Sequence, residues 1–290
     1  MPDQANDLRR LVRHSAGADA PHPAARPAII VVTGGKGGVG TTTIAVNVAM
    51  AIAECKLRTV LLDADLCGGD AATLCGLDER YTLADVLDGR RTLAEALQAG
   101  PGAVRLLPGI WQSADRNGMS PAAAGRLLGQ LATLAADVDL AVLDAGNRPG
   151  QMMRPLCRAA EVVLTVTTPQ PASIIGTYAS IKALRDQGGS RPIHSLVNMA
   201  PGASTAEDVQ RRLGTACRRF LAVHLMAAGH VSADPHVPAA AAAAEPFVIA
   251  AAGCQSARQT AGLARRLMAA VGRRKVAADG AEERQLRLTA

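Results

Sequence analysis

A glycine-rich stretch near the start of the chain has the composition of a phosphate-binding loop. Residues 34–43 read GGKGGVGTTT and follow an apolar run that is typical of a buried strand. Backbone N–H groups in such a loop converge on anionic oxygens, and the helix that follows adds the positive end of its dipole. We therefore predict that a phosphate-bearing cofactor binds to the following residues: Gly35, Lys36, Gly37, Gly38, Val39, Gly40, Thr41, Thr42 and Thr43.

This loop departs from the general pattern G-x-x-x-x-G-K-[ST] at one position. Aligned from Gly35, the pattern places its second glycine at Gly40 and expects a lysine next, where the chain has Thr41. Thr42 then occupies the position whose hydroxyl binds Mg²⁺. Lys36 can supply the missing charge from the other end of the loop. Because a hydrogen bond to a charged group contributes about 1.5–3 kcal/mol, we expect a weakened site rather than an abolished one.

Acidic residues follow two of the other apolar runs. Asp63 and Asp65 lie two positions apart, so their side chains point to the same side of an extended segment. Asp144 ends a further run. Carboxyl ends of parallel strands face the crevice in which ligands bind. One acid of the first pair can orient Mg²⁺ and the other a water molecule, with Asp144 holding the metal through water. The alternative is that the pair only caps the next helix.

The apolar runs alternate with helical stretches along the chain. The candidate strands are residues 28–34, 58–65, 139–146, 161–168 and 192–199, and the first helix is 41–54. Continuous apolar runs separated by helices are typical of buried parallel strands. We predict an α/β fold with a doubly wound, mostly parallel sheet and helices on both faces, spanning residues 28–253.

Composition limits the class of partner. Aromatic residues make up 2% of the 290 residues, so a base-stacking platform for single-stranded nucleic acid is disfavoured. The net charge of +6 permits an anionic partner but selects none. The N-terminus lacks the apolar core of a secretory signal, and no apolar run is long enough to span a bilayer. We expect a cytoplasmic protein without a specific nucleic-acid partner.

Two segments flank the predicted body. Residues 1–14 have one apolar face with Asp3 as the N-cap, and residues 15–27 are rich in small residues and proline, which predicts a tethered helix on a flexible linker. Residues 254–290 are basic and amphipathic, with no acid between Ala251 and Ala278. This region is either an interfacial membrane helix or the last helix of the body.

The motifs resemble those of one family. GGKGGVG, with an early lysine, resembles the deviant loop of MinD/ParA-type P-loop NTPases, Asp63 and Asp65 resemble its switch I, and DAGNRPG (144–150) resembles its switch II. The resemblance implies ATP and Mg²⁺ as cofactors and an ATP-bound homodimer. It also implies that Lys36 reaches the partner's nucleotide, that Asp65 positions the attacking water, and that Asn198 contacts adenine. The metal ligands are then Thr42, Asp63 and Asp144, and the catalytic groups are Lys36 and Asp65.

Other stretches resemble the flagellar-number regulators of that family, the FlhG (FleN) group. DQANDLR (3–9) resembles the element that begins many of them, and TTPQPASIIGTYASIKAL (167–184) is the most specific match. The resemblance implies an FlhF-type GTPase as partner, and in some members a flagellar transcription activator or C-ring components. It also implies membrane contact through the C-terminal helix. The partner-docking residues are then Asp3, Gln4, Ala5, Leu8 and Arg9.

Thr41 leaves alternatives open. FlhG proteins usually keep lysine at this position, whereas G-V-G-T-T-T is more typical of pilus-localisation ATPases of the CpaE/TadZ type and of the cellulose-secretion relative BcsQ. A weakly or non-hydrolysing nucleotide-binding scaffold is a further alternative. A partition protein of the ParA type is a third, and the D-Q-A element argues against it. We expect slow ATP hydrolysis.

Overall fold

The computed structural model describes residues 26–65, 70–109, 121–147, 154–185 and 192–289, with side chains as far as Gly272 except those of Pro121 and Arg154. The predicted docking helix, residues 1–14, and the linker as far as residue 25 lie outside the described residues. A single sheet of eight strands forms the centre of this part of the chain. The strands are β1 (Ala28–Gly34), β2 (Thr59–Asp63), β3 (Gln98–Ala99), β4 (Arg105–Leu107), β5 (Leu140–Asp144), β6 (Val162–Thr167), β7 (Ile193–Ala200) and β8 (Leu225–Ser232).

Helices cover both faces of the sheet. They are α1 (Thr41–Glu54), α2 (Ala71–Leu74), α3 (Leu83–Leu87), α4 (Leu93–Ala96), α5 (Pro121–Thr133), α6 (Arg154–Ala159), α7 (Pro171–Arg185), α8 (Ala203–Leu221), α9 (His236–Ala242), α10 (Phe247–Ala250) and α11 (Gln255–Thr289). None of them, within the described residues, is long and apolar enough to cross a membrane.

The strand order is β3-β4-β2-β5-β1-β6-β7-β8. Every neighbouring pair is parallel except β3 with β4. The central strand β1 lies between β5 and β6, so the chain crosses to opposite sides of it. In such sheets the ligand crevice lies outside the carboxyl ends of the strands, where the strand order reverses. The predicted doubly wound, mostly parallel fold is confirmed, and the crevice is at the end of β1.

The sequence analysis did not identify β3, β4 and β8. The first two contain two and three residues, which is too short for a periodic signal. The last, LMAAGHVS, contains Gly229 and only one β-branched residue, so its composition is not typical of a strand. All three lie at or near the sheet edges, where neighbouring strands rather than local propensity decide the conformation.

The beginning of α11 belongs to the body. Leu263, Ala264 and Leu267 are fully buried and share one apolar cluster with α1 and the sheet. The predicted boundary at residue 254 therefore marks the start of a helix whose first part, as far as Val271, packs against α1 and β8. Of the two alternatives for this region, the packing agrees with the core helix over residues 255–271.

Polar side chains of α11 also cover the edge strand β8. The hydroxyl of Ser256 donates to the Ser232 carbonyl at 3.0 Å, and the Ser232 N–H donates to Oε1 of Gln259 at 2.8 Å. Nε of Arg266 donates to the Ala228 carbonyl at 3.0 Å. An uncovered edge strand is a template for unwanted pairing. These contacts satisfy backbone groups of the strand and hold α11 against it.

Candidate functional site

The glycine-rich loop connects β1 directly to α1 at the centre of the sheet. Its first residue is held by a hydrogen bond from the Gly34 N–H to the Gly146 carbonyl at 2.8 Å. Gly38 and Gly40 have φ angles of 78° and 83°, a conformation that favours glycine. The loop therefore ends in a left-handed turn that aims the N-terminus of α1 into the crevice. This is the arrangement that binds phosphate.

The start of the loop packs against the backbone of α7. A Cβ built on Gly35 would lie 2.0 Å from the Thr177 nitrogen, and one built on Gly176 would lie 2.4 Å from the Gly35 carbonyl oxygen. Two glycines on distant segments therefore allow one backbone-to-backbone contact. The sequence analysis missed Gly176, because a single glycine in a helical stretch gives no sign of what it faces.

Thr41 and Lys36 have different surroundings. The Thr41 side chain is buried, and its Oγ1 lies 2.5 Å from the position that a Cβ on Gly34 would occupy. It therefore packs beneath the loop. Lys36 is exposed, and none of the ion pairs among the described residues involves it. Its ammonium group can therefore pair with an anion that another molecule brings.

Asp63 and Asp144 lie side by side at the carboxyl ends of β2 and β5, where they are register partners. Both are fully buried. Asp63 accepts hydrogen bonds from the N–H groups of Asp65 and Ala71, each at 3.1 Å. Burial and the charge of Asp144 nevertheless raise the pKa of Asp63 well above its usual range. Two adjacent buried carboxylates favour a bound cation.

Asp144 has an unsatisfied oxygen. Oδ1 accepts from the Gly146 N–H at 3.0 Å, whereas Oδ2 is buried and has no hydrogen-bond partner among the described residues. Burial raises the pKa of this carboxyl to about 6, and hydrogen bonding from the Thr42 side chain and the Gly146 N–H opposes the rise. A buried oxygen without a partner is costly, which indicates a missing ligand.

These residues fit a hydrated Mg²⁺ ion. The described residues contain no cluster of three or more His, Cys, Asp or Glu side chains suited to a metal. Mg²⁺ does not need one, since it keeps several waters and binds through one or two carboxylates and substrate phosphates. The Thr42 side chain is hydrogen-bonded to Asp144, which is the register partner of Asp63, so the three predicted metal ligands lie at one edge of the sheet and their role stays a prediction.

Asp65 lies against the loop that follows β5. Its carboxylate is so close to the α-carbon of Gly146 that a Cβ there would be 2.3 Å from Oδ2. Gly146 has a φ of 60°. The second acid of the D-x-D pair therefore points over the end of β5, beside Asp144, as expected for a group that faces the crevice. Helix capping, the alternative for the pair, accounts for the hydrogen bond that Asp63 accepts from the Ala71 N–H at the start of α2.

Two asparagines border the loop. Nδ2 of Asn198, on β7, donates to the Val39 carbonyl at 2.9 Å. This predicted adenine-contacting residue thus braces the phosphate loop from behind. Asn147, which the sequence analysis did not single out, places its Nδ2 3.4 Å from the position of a Cβ on Gly37. It is a polar group that reaches the exposed side of the loop from the segment after β5.

Exposed apolar side chains flank the loop on both sides. Ile175, beside Gly176, is 70% exposed, and Met199, whose Cε lies 3.6 Å from the position of a Cβ on Gly40, is 46% exposed. Both are among the few large apolar residues that are exposed in the described part of the chain. Isolated exposed apolar residues are common, but two of them bordering one loop favour a contact surface.

Comparison with known proteins agrees with this geometry. A family model described as ParA, NUBPL iron-transfer P-loop NTPase, matches residues 26–92. The antiactivator FleN of Pseudomonas aeruginosa is 36% identical over 209 residues, which cover 72% of this chain and 75% of FleN.

Two solved structures share the fold. A ParA family ATPase from Chlorobium tepidum has a TM-score of 0.69 at 18% identity, covering 84% of this chain and 99% of that one. The septum site-determining protein MinD from Pyrococcus horikoshii, complexed with Mg-ADP, has a TM-score of 0.65 at 20% identity, covering 83% and 96%.

A glycine loop between the central strand and its helix, with acids at the ends of the two neighbouring strands β5 and β2, defines a P-loop NTPase. The chain belongs to the MinD/ParA family of these proteins. The predicted family is thereby confirmed.

Proposed function

We propose that this protein is an ATP-dependent dimerising switch that regulates flagellar number and placement. The observation that carries the nucleotide part is the buried, unpartnered Oδ2 of Asp144, whose carboxyl group is hydrogen-bonded to Thr42 at the start of α1, where the glycine loop ends. The similarity to the antiactivator FleN carries the flagellar part.

Each residue of the site has a role in this proposal. Backbone N–H groups of residues 35–43 bind the phosphates of ATP, and the Thr42 hydroxyl and Asp144 hold Mg²⁺ directly or through water. Mg²⁺ supplies neutralisation of charge that develops on the phosphate oxygens. Asp65 orients the attacking water. Thr41 offers no cation, so turnover is slow and the ATP-bound state is long-lived.

The dimer places two copies face to face across their loops. Lys36 is exposed at the rim of the loop and contributes its charge to the nucleotide of the second copy. Ile175 and Met199 flank the same loop and are covered by the partner. An exposed lysine on a loop that two exposed apolar side chains border supports this orientation, since association removes the apolar surface from water.

The proposed output is contact with other components at the inner face of the cell membrane. Residues 1–14 dock on an FlhF-type GTPase through Asp3, Gln4, Ala5, Leu8 and Arg9. Further partners are a flagellar transcription activator or C-ring components. The part of α11 beyond Val271 contacts the membrane surface. The protein is cytoplasmic and peripheral on that membrane in this proposal.

Thr41 favours a second candidate, a pilus-localisation ATPase of the CpaE/TadZ type or a weakly or non-hydrolysing nucleotide-binding scaffold. Its side chain is buried beneath the loop, where it supplies no charge to the phosphates. The two candidates differ in turnover. ATP binding, ATP turnover and oligomer size measured on the wild type and on Thr41→Lys distinguish them.

The switch predicts that the wild type binds ATP and dimerises with slow turnover, and that Thr41→Lys accelerates turnover. If the wild type binds ATP and dimerises but neither protein hydrolyses it, the scaffold is supported. If the wild type binds no nucleotide and lysine does not restore binding, the loop is inactive and the nucleotide part of the proposal is wrong.

Lys36→Ala tests the dimer. We expect loss of ATP-dependent dimerisation with ATP still bound by the monomer. Lys56→Ala is the matched control, because Lys56 follows the far end of α1 and is also exposed. An unchanged dimer yield for Lys36→Ala would show that the lysine has no role across the interface.

Deletion of residues 1–14 tests the docking segment. We expect ATP binding to be unchanged and stimulation of the partner's GTP hydrolysis to be lost. Gln4→Ala within the full chain is the sharper variant, since it keeps the helix. Stimulation that survives both changes would exclude this segment as the docking element.

A further inference from the structure

A second polar cavity lies between the edge strand β8 and α11, away from the nucleotide loop. It measures about 550 Å³ and is lined by Gly229, His230, Gln255, Arg258, Gln259, Gly262 and Arg266. Two of these residues carry a permanent positive charge, and none carries a negative one. We propose that this cavity, which we call the edge pocket, binds a phosphate-type oxyanion.

The helix presents its two arginines to one space. Three of the lining residues follow one another at intervals of four along α11, and therefore lie along one face of the helix: Arg258, Gly262 and Arg266. Both arginines line the cavity, and Gly262, which lies between them in the helix, has no side chain to fill it. Guanidinium groups bind phosphate and carboxylate through parallel N–H donors. A cavity lined by two of them suits an anion with several oxygens.

The guanidinium group of Arg266 is held in place by the strand. Its Nε donates to the Ala228 carbonyl at 3.0 Å, and its Nη2 lies 2.8 Å from the position that a Cβ on Gly229 would occupy. Its Nη1 lies 3.4 Å from the corresponding position on Gly262. Any larger residue at 229 would displace this group. Gly229 therefore creates the space that keeps the remaining N–H groups of Arg266 beside the cavity.

The imidazole of His230 is oriented by Gln259. Gln259 is fixed by the Ser232 N–H at 2.8 Å and by the Ser232 hydroxyl at 3.0 Å, and its Nε2 lies 3.1 Å from Nε2 of His230. An amide nitrogen only donates, so Nε2 of the imidazole accepts and Nδ1 carries the proton. His230 is thus a donor at Nδ1 even when it is neutral.

The acid that is hydrogen-bonded to the start of the helix is already engaged. Asp234 accepts from the Ser256 N–H at 3.2 Å and from the backbone and ring of His236, and it does not line the pocket. The lining therefore combines two guanidinium groups, one imidazole N–H and the amide of Gln255 without a competing carboxylate. This donor set selects an anion over a cation or a neutral ligand.

Phosphate also fits the nucleotide loop, so the test must report on each site separately. We would titrate the full chain with inorganic phosphate at constant ionic strength and follow backbone amide signals by ¹H–¹⁵N NMR. Gly229 and Gly262 report on the edge pocket, whereas Gly38 and Gly40 report on the nucleotide loop. A second titration uses vesicles containing phosphatidylglycerol, which separates a lipid headgroup from free phosphate as the source of the oxyanion.

We expect saturable shifts at Gly229 and Gly262 with phosphate, with the vesicles or with both. Arg258→Gln and Arg266→Gln should each weaken this binding about tenfold or more, because each removes a charged donor. Arg265→Gln is the matched control, since it removes the same charge from an exposed neighbouring position outside the pocket. It should change the apparent Kd less than about twofold, as expected for screened surface charge.

Three results would overturn the proposal. These are the absence of shifts at Gly229 and Gly262 with both probes, shifts confined to Gly38 and Gly40, and equal weakening by Arg265→Gln. Arg258 is exposed and donates to the Gly253 carbonyl just before α11, so Arg258→Gln keeps the test valid if Arg266→Gln unfolds the edge. Nucleotide binding at the loop is read from Gly38 and Gly40, so its failure leaves this test intact.

Discussion

The carboxylate of Asp65 rests on the α-carbon of Gly146, so that a methyl group on this carbon would lie 2.3 Å from both the carboxyl carbon and Oδ2. This contact joins the segment after β2 to the segment after β5. The two segments carry the candidate water-positioning acid and the candidate metal ligand Asp144. The two segments can approach this closely because Gly146 has no side chain.

Gly146→Ala should slow ATP turnover at least about tenfold and leave ATP affinity within about threefold, since displacing a catalytic group by 1 Å can cost about 100-fold. Turnover and equilibrium binding measured on the same preparation check this. Gly89→Ala is the control, because Gly89 also has a positive φ, 74°, but nothing lies within 4 Å of its added Cβ. Equal turnover in wild type and Gly146→Ala would mean that Asp65 does not act from this position.

Gly176→Ala should destabilise the protein by about 1–3 kcal/mol, the usual cost of overpacking. The added methyl group would lie 2.4 Å from the Gly35 carbonyl oxygen, and backbone cannot yield as a flexible side chain does. Nucleotide affinity should fall as well, because the start of the phosphate loop is displaced. Urea denaturation and ATP binding are the measurements.

Gly214→Ala is the matched helical control for that substitution. It lies within α8, and nothing is found within 4 Å of an added Cβ. We expect it to stabilise the protein by about 0.4–1 kcal/mol through the unfolded state. If both variants are stabilised, the close contact between α7 and the loop does not exist in solution.

Truncation after Gly253 should abolish cooperative unfolding, whereas truncation after Gly272 should preserve it. The first removes Leu263, Leu267 and their neighbours from the core, and each fully buried leucine contributes about 1.5–3 kcal/mol against a total stability of about 5–15 kcal/mol. The second removes only the segment beyond the described packing. Thermal unfolding by circular dichroism distinguishes them, and cooperative melting of the shorter chain would refute the core position of α11.

Membrane contact is tested with the chain that is truncated after Gly272. The chain that ends at Gly272 keeps its fold in this scheme, so loss of liposome binding can be assigned to residues 273–290. Binding that persists in this variant would place the membrane contact elsewhere in the chain.

Asp234→Asn should destabilise the protein at pH 7 by about 1.5 kcal/mol, the lower range for hydrogen bonds to a charged group. The His236 N–H and ring and the Ser256 N–H hold the pKa of Asp234 below its usual range. The folded state thus binds fewer protons than the unfolded state. The stabilisation is fully present above the unfolded pKa of about 3.9 and is lost as the pH falls towards the folded pKa.

Urea denaturation at pH 7 and at pH 3 measures this effect. Wild type and Asp234→Asn should differ at pH 7 and differ by less at pH 3, where the carboxyl group is largely protonated in the unfolded state. Asp208→Asn is the control, because Asp208 pairs with Arg211 and Arg212 on the exposed face of α8 and should matter by less than about 1 kcal/mol. A pH-independent difference for Asp234→Asn would show that the carboxylate charge is not involved.

The sequence alone determined the features that depend on neighbouring residues. The glycines of residues 34–40, the spacing of Asp63 and Asp65 and the apolar runs identified the loop, the acids and the parallel sheet. Helix α1 has the predicted bounds, and the central strands lie within two residues of the predicted ranges. These predictions succeeded because backbone freedom, side-chain alternation and burial on both faces are local properties.

Tertiary structure alone decided which of these residues meet. Asp63 and Asp144 are 81 positions apart in sequence and became register partners only when β2 paired with β5. Gly35 and Gly176 came into contact through the packing of α7, and the ambiguous C-terminal stripe became core because α1 and β8 offered an apolar surface to it. Short-range patterns limit what each segment can be, whereas pairing and packing between distant segments determine which side chains share one site.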